Sequence, residues 1–329
     1  GGVIQKPGTD FTVSGSVLTF TTAPASGTSF FAILLGSDNG GTVTPTDGSV
    51  TGDKVASSGA FTIGAAGTAS SLAGIPFYNG DTTSIYTHDV SGTDSTAQNN
   101  TAYGLTALDA ITTGDDNVAI GYGALSALTT GSDNVAIGSF ALDATQTADF
   151  NTAIGYQAGT AVTSGAGNVF IGYNAGEDWT EGGDSVLIGY RAGANITTGS
   201  NIVFIGKNSG DGHDTEGDNL GIGSNALGGS IAGGEYNVGI GNNTLDAVTS
   251  GDNNVAVGYA ALSAVGSGYD NIAIGQGAAL NHTDGQGMTV VGHQAGQTNT
   301  TGGSNICIGK ATDVSNSNAS YQFVIGVNV

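Results

Sequence analysis

The chain has very little of what most enzymes and nucleic-acid-binding proteins contain. Its 329 residues include one Cys, one Met and one Trp, and five Lys and Arg stand against 27 Asp and Glu. A single cysteine excludes both a disulfide framework and a zinc finger within the chain. The formal net charge of −22 repels phosphate backbones and anionic lipid headgroups, so we expect no nucleic-acid partner.

Long apolar runs and helical patterns are also missing. No run approaches the ~18 apolar residues that cross a membrane, so we expect no membrane insertion. No window of helical length carries an apolar stripe, whereas short β-branched runs bounded by Gly, Asn, Asp, Ser and Thr recur throughout. The sequence therefore predicts an all-β protein.

A 17-residue repeat occupies the last two-thirds of the chain. Each copy contains an apolar run closed by a glycine, as in Asn117–Leu125, and we call this glycine the marker glycine. Successive marker glycines are 17 residues apart, except for the 18 residues between Gly223 and Gly241. A fixed short period indicates a stack of identical units, here called rungs, each too small to bury a core alone. The repeat therefore predicts a parallel β-roll or β-solenoid. The marker glycines are Gly104, Gly121, Gly138, Gly155, Gly172, Gly189, Gly206, Gly223, Gly241, Gly258, Gly275, Gly292, Gly309 and Gly326.

Composition divides the chain into four segments. Residues 1–36 hold two alternating apolar runs and predict a small β-module. Residues 37–72 are rich in Gly, Ser and Thr, which favours a linker or thin stalk. Residues 73–99 are richer in aromatics, and we interpret them as a cap on the first rung. Residues 100–329 form the shaft of about 14 rungs.

The predicted strand before each marker glycine is apolar on both faces. Residues three and one before the glycine, such as Val118 and Ile120, share one face, and the residue between them points to the other. A sheet with one wet face would alternate apolar and polar residues. We therefore expect one face to fill the coil and the other to contact sister chains. We assign the intervening residues to the seam of an intertwined homotrimer: Ala119, Ala136, Ala153, Phe170, Leu187, Phe204, Ala256 and Ala273.

Three further positions recur in the rungs. An asparagine such as Asn151 lies four residues before most marker glycines and predicts a ladder of stacked amides. A glycine such as Gly165 lies seven residues before, where we expect a turn with positive φ. A small residue such as Ala158 follows the marker glycine, and we expect it to begin a second, shorter strand.

The pentamer Asn-Val-Ala-Ile-Gly resembles the repeat in the β-roll heads of trimeric bacterial autotransporter adhesins, whose repeat is somewhat shorter. The 17-residue form, for example at 151–167, is more similar to repeats in phage tail-fibre proteins, particularly of phages of aquatic bacteria such as cyanophages. The run at 3–36 is similar to a module common in those fibres. The resemblance implies a left-handed parallel coil, a homotrimer and a place in the virion tail fibre, or alternatively on a bacterial surface.

Aromatic and acidic residues of the repeats are the candidate contacts. Tyr173 and Tyr190 follow marker glycines in consecutive rungs, and Trp179 lies in an acidic turn, so these rings are candidate glycan contacts. The alternative role of each is packing: the tyrosines would stack as an aromatic ladder, and the indole would pack over its own rung. Asp116 and Asp133 hold the same position in adjacent rungs and could bridge a structural divalent cation. Their alternative role is a hydrated acidic rim that keeps fibres apart.

No catalytic pattern is present in the sequence. It contains no GxSxG elbow and no HExxH pair, and Cys307 replaces a small residue of the apolar column. We expect no enzymatic activity and no cofactor beyond a possible structural cation. The favoured function is a structural and adhesive fibre, a rigid shaft that joins other tail or fibre proteins and contacts a host-surface glycan or protein. Two alternatives stay open, a bacterial surface adhesin with the same coil and, least favoured, a tailspike polysaccharide depolymerase, which needs a carboxylate pair ~5–9 Å apart in a cleft.

Overall fold

The computed structural model describes residues 96–212, 215–229 and 233–329, together with strand residues 11–14, 17–20, 70–72, 75–77 and 85–86. The chain divides into two units, Gly1–Thr62 and Ile63–Val329. In the first unit, β1 (Phe11–Ser14) and β2 (Val17–Phe20) pair antiparallel, so this apolar run forms a hairpin. The rest of the predicted 1–36 module and nearly all of the predicted 37–72 linker lie outside the described residues.

The second unit contains the repeats. β3 (Ser70–Leu72) and β4 (Ile75–Phe77) pair antiparallel, and β5 (Ile85–Tyr86) begins a 15-stranded parallel sheet inside the segment predicted as a cap. Most other residues of that predicted cap lie outside the described part. The strands that follow β5 are β6 (Thr101–Tyr103), β7 (Val118–Ile120), β8 (Val135–Ile137), β9 (Thr152–Ile154), β10 (Val169–Ile171), β11 (Val186–Ile188), β12 (Val203–Ile205), β13 (Leu220–Ile222), β14 (Val238–Ile240), β15 (Val255–Val257), β16 (Ile272–Ile274), β17 (Thr289–Val291), β18 (Ile306–Ile308) and β19 (Phe323–Ile325).

The sheet follows the order of the chain. Each strand pairs with the next one along the sequence, and equivalent residues of neighbouring rungs are aligned, as Val169 with Val186 and Ile171 with Ile188. The unit is therefore a β-solenoid of about 13 turns of ~17 residues. This confirms the predicted all-β class, the parallel coil and the length of the rung.

The two strand faces have the opposite roles to those predicted. The intervening residues Ala119, Ala136, Ala153, Phe170, Leu187, Phe204, Ala256 and Ala273 are all 0% exposed in the single chain and fill the interior of the coil. The Val and Ile residues beside them point outward. The assignment of the intervening residues to an intermolecular seam is therefore wrong, because one chain already buries them. Alternation identifies two faces but does not say which one is inside.

The interior is filled by complementary volumes. Where the intervening residue is large, as in Phe170 and Phe204, a glycine stands four residues after the marker glycine. A Cβ at Gly176 would overlap the Phe170 ring, and one at Gly210 would overlap Phe204. Where the intervening residue is Ala or Gly, that position is often a buried leucine, namely Leu108, Leu125, Leu142, Leu227, Leu245 or Leu262. The narrow interior of such a rung therefore holds one large side chain, supplied either by the strand or by the turn after the marker glycine, as close packing requires.

Turns replace the expected second strand. After the marker glycine, residues such as Asn174 (φ 52°) and Gly176 (φ 61°) adopt the left-handed conformation, which cannot continue an extended strand. The expectation that the small residues after the marker glycine begin a strand is therefore wrong. The expectation of a positive φ at the glycine seven before the marker is also wrong. Gly165 has no positive φ, and a Cβ there would instead collide with the Gly182 carbonyl oxygen of the next rung.

The marker glycine is required for two independent reasons. Gly172 has φ 137°, a value that L-residues rarely adopt. A Cβ at Gly172 would lie 2.6 Å from the carbonyl carbon of Gly189 in the next rung. The repeat period read from these glycines therefore reflects both backbone conformation and rung-to-rung approach.

Candidate functional site: the outward aliphatic face and its borders

An apolar surface runs along the coil, formed by the residues three and one before each marker glycine in β6 to β19, and we call it the outward face. Its isoleucines are partly exposed, as Ile120 at 38% and Ile274 at 41%. A three-residue strand is ~10 Å long and strands lie ~4.8 Å apart, so 14 strands present roughly 650 Å² of flat surface. That exceeds the largest apolar patch of a typical soluble monomer, about 300–600 Å².

Three threonines interrupt this aliphatic surface. Thr101, Thr152 and Thr289 all stand three before a marker glycine, and their side chains are half-buried. Within the described part of the chain, none of their hydroxyls forms a hydrogen bond. Counted from the rung closed by Gly104, they lie in rungs one, four and twelve. No sequence motif marks these threonines as site residues, although their shared position in the repeat is visible in the sequence.

Tyrosines form a stacked ladder beside the strands. The rings of Tyr156 and Tyr173 stack at 5.4 Å and 14°, and those of Tyr173 and Tyr190 at 5.3 Å and 8°. The ladder continues through Phe140, which meets Tyr122 edge-on at 5.1 Å and Tyr156 edge-on at 6.3 Å. Neighbouring rings cover both faces of Tyr173, so this tyrosine presents only its ring edge to solvent. A sugar that needs a free ring face for stacking finds none at Tyr173, and this geometry favours the packing alternative.

Trp179 lies inside the coil. Its side chain is 0% exposed, its Nε1–H donates to the Gly182 carbonyl oxygen at 2.7 Å, and its ring meets Phe170 edge-on at 5.7 Å. The indole is thus unavailable to a glycan, and the packing alternative describes it.

The acidic corners have a conformational explanation. Asp116 and Asp133 are exposed and adopt left-handed φ values of 58° and 59°. Asp, Asn and Gly tolerate this conformation best, which accounts for their frequency in this column. In the neighbouring column, the carboxylates of Asp115 and Asp149 accept hydrogen bonds from the backbone N–H groups of Gln98 and Ser132 in the preceding rung, both at 2.7 Å. A cation bridging Asp116 and Asp133 stays a prediction.

The predicted amide ladder is confirmed. The backbone N–H of Asn168 donates to Oδ1 of Asn151 at 3.0 Å, while Nδ2 of Asn151 donates to the Gly165 carbonyl at 2.8 Å. The same pattern joins the other buried asparagines of the column. Ser185 keeps one link through its hydroxyl, which accepts from Ile202 N–H at 3.1 Å. Ile202 and the buried Met288 carry no acceptor, so the ladder is interrupted there.

Several ionisable groups among the described residues of the coil have shifted pKa values or charged neighbours. Burial raises the pKa of the Cys307 thiol to about 11, and Asp313 adds to that shift, so the thiol is protonated near neutral pH. Burial also raises the pKa of Asp178; Glu177 raises it further and Arg191 opposes both. Arg191 itself lies 3.6 Å from Glu177 and 3.3 Å from Asp211, so its charge is shared between two carboxylates.

In the part of the chain that the structure describes, there is no helix long and apolar enough to cross a membrane. The same residues contain no group of three or more His, Cys, Asp or Glu side chains placed to hold a metal ion. Comparison with protein-family models, curated proteins and solved structures finds no match to this chain.

Proposed function

We propose that this protein is a structural and adhesive fibre, in which three copies of the coil wrap around a common axis to form a rigid shaft. The observation that carries the proposal is the outward face, an apolar and mostly aliphatic strip that follows the coil from β6 to β19. The shaft belongs to a phage tail fibre, attaches to other tail or fibre proteins, and places its adhesive parts against a host-surface glycan or protein. The motif resemblance supports this setting.

A second copy is the occupant that suits the outward face best. Parallel sheets are normally covered on both faces, and this sheet is covered by its own chain on one face only. A typical stable interface buries about 800 Å² per partner, and the outward face alone supplies roughly 650 Å² before its borders are counted. The outward positions carry no Asp, Glu, Lys or Arg, although the chain has a net charge of −22. Closed rotational symmetry buries the same strip of every copy.

The bonds between the rungs of the coil suit a rigid shaft. Neighbouring rungs are joined by strand pairing, by the amide ladder and by threonine hydroxyls such as that of Thr180, which donates to the Thr197 carbonyl at 2.8 Å. Fourteen strands at ~4.8 Å make a rod of roughly 60–65 Å. Such a rod holds a fixed length between its ends, which is what a shaft requires.

Two lysine variants test the assembly. Val186→Lys places a charge on the outward face, and Thr130→Lys places the same charge on an exposed turn. Burying an unpaired ammonium is costly, so V186K is expected to sediment as a single chain while T130K keeps the wild-type mass. Circular dichroism checks that both variants retain the coil. Equal masses for V186K and wild type would contradict the proposed interface.

Adhesion and degradation give different results on host cells. An adhesive fibre is expected to bind labelled cells without altering their polysaccharide. Release of reducing sugar from purified host polysaccharide would instead favour the depolymerase alternative. Binding between bacteria of the producing strain would favour the surface-adhesin alternative.

A further inference from the structure

We infer that Thr101, Thr152 and Thr289 fix the alignment of the copies, so that the chains associate parallel and with equal rungs at equal height. The inference rests on the proposed self-association through the outward face. It assigns a role to three polar residues that interrupt an otherwise apolar column. It also predicts which of many similar alignments the assembly adopts.

Burial of the outward face removes the water that solvates these threonine hydroxyls. In the single chain they are half-buried, reach solvent and form no hydrogen bond to any described residue. When another chain covers the face, each hydroxyl loses water and needs a new partner. A threonine of a sister chain at the same height supplies both a donor and an acceptor. A valine or isoleucine at that height supplies neither.

The aliphatic positions alone would not define the alignment. Most rungs carry an aliphatic residue at both outward positions, commonly Val three before the marker glycine and Ile one before it, so a copy displaced by one rung meets almost the same surface. A repeated, uniform strip permits slippage, as in strands whose register is weakly specified. A few buried polar residues can remove this degeneracy, as a single polar core residue does in coiled coils.

The spacing of the three threonines makes their alignment unique. They lie in rungs one, four and twelve, so their separations are three, eight and eleven rungs, all different. With no displacement, every threonine of one copy meets its equivalent in another. A displacement of three, eight or eleven rungs matches only one pair, and any other displacement matches none. Antiparallel pairing matches at most two of the three.

Spin-label distances test the inference directly. Lys207→Cys provides an exposed site for a nitroxide, whereas native Cys307 is buried and stays unlabelled. Pulsed electron paramagnetic resonance on the labelled wild type is expected to give one narrow distance between copies. The triple variant Thr101→Val, Thr152→Val and Thr289→Val is expected to give a broad distribution, because displaced alignments add steps of ~4.8 Å along the axis.

Matched variants separate alignment from general effects. Thr113→Val, Thr130→Val and Thr301→Val change three exposed turn threonines and are expected to keep the narrow distance. A second variant, Thr152→Val with Val169→Thr, moves one threonine by a rung. Copies of this variant are expected to align with one another. Their association constant with wild-type chains is expected to be about tenfold lower than that between wild-type chains.

The outcomes distinguish the inference from the proposed function. A narrow distance in the outward-face triple variant, with association retained, would overturn the role of the threonines and leave the shaft intact. A labelled wild type that gives no intermolecular distance at any concentration would overturn both. Valine is the commonest residue in this column, so the substitutions fit the coil.

Discussion

Replacing Asn151 with Leu is expected to lower the free energy of local unfolding around its rung by about 2–6 kcal/mol. The change leaves two buried groups without a partner. In the wild type, the Asn168 N–H and the Gly165 carbonyl bond to the Asn151 side chain at 3.0 and 2.8 Å. Each buried polar group left without a partner costs ~1–3 kcal/mol. The apolar shape itself is tolerated in this column, since Ile202 occupies it and is fully buried.

Asn151→Ser is the matched control, because the chain already uses serine in this column. The Ser185 hydroxyl accepts a hydrogen bond from the backbone N–H of the next rung at 3.1 Å. A serine at 151 is therefore expected to preserve the bond to Asn168 and to leave only the Gly165 carbonyl without a partner. The expected cost is about 1–3 kcal/mol.

Hydrogen exchange measures the difference at the affected amide. The Asn168 amide is expected to exchange at least ~30-fold faster in N151L than in wild type, with N151S between them. Exchange at distant rungs should not change, since each rung contacts only its neighbours. Equal protection of Asn168 in N151L and wild type would refute the reasoning.

Three further predictions concern the interior and the marker glycine. Gly172→Ala is expected to disrupt its rung, since φ 137° and a carbonyl carbon 2.6 Å from the new Cβ leave no room; loss of the coil's circular dichroism signal checks this. Trp179→Phe loses the 2.7 Å bond to Gly182 and buried volume, and should lower the urea midpoint without altering cell binding. Burial lowers the pKa of His282 below its usual 6.5, so the unfolded chain binds the proton more readily and stability should fall as the pH drops below about 6.5. His282→Val introduces the residue that Val265 already supplies at the same position of another rung. The urea midpoint of this variant should fall less between pH 7.5 and 5.5 than that of the wild type, and an equal fall would contradict the prediction.

The period, the parallel coil and the amide ladder could be predicted because each depends on short-range repetition. A glycine every 17 residues and an asparagine four before it leave few alternatives once rungs stack in alignment. The ladder bonds of Asn134, Asn151 and Asn168 follow from that alignment alone.

The inner face could not be predicted from alternation, because both faces are apolar. A signal was nevertheless present in the sequence, since Phe170 and Phe204 come with glycines six residues later, whereas Ala119 and Ala136 come with leucines. Such compensation within one chain indicates side chains that share a confined interior. The conformations of the turns were harder to foresee, since Gly165 serves close approach and not positive φ.

Trp179 was equally ambiguous before its surroundings were known. An indole among acidic residues suits either a ligand site or a buried core position, and the tight approach of Gly165 and Gly182 to its ring decides for the core. The tyrosines remain outside because they follow the marker glycine, where the chain leaves the strand.

Sedimentation equilibrium of the unmodified protein tests the central claim, that the outward aliphatic face is covered by sister chains. The account predicts a mass three times that of the 32.1 kDa chain, stable on dilution through the micromolar range. A species with the mass of one chain at those concentrations, with the coil intact by circular dichroism, would contradict it.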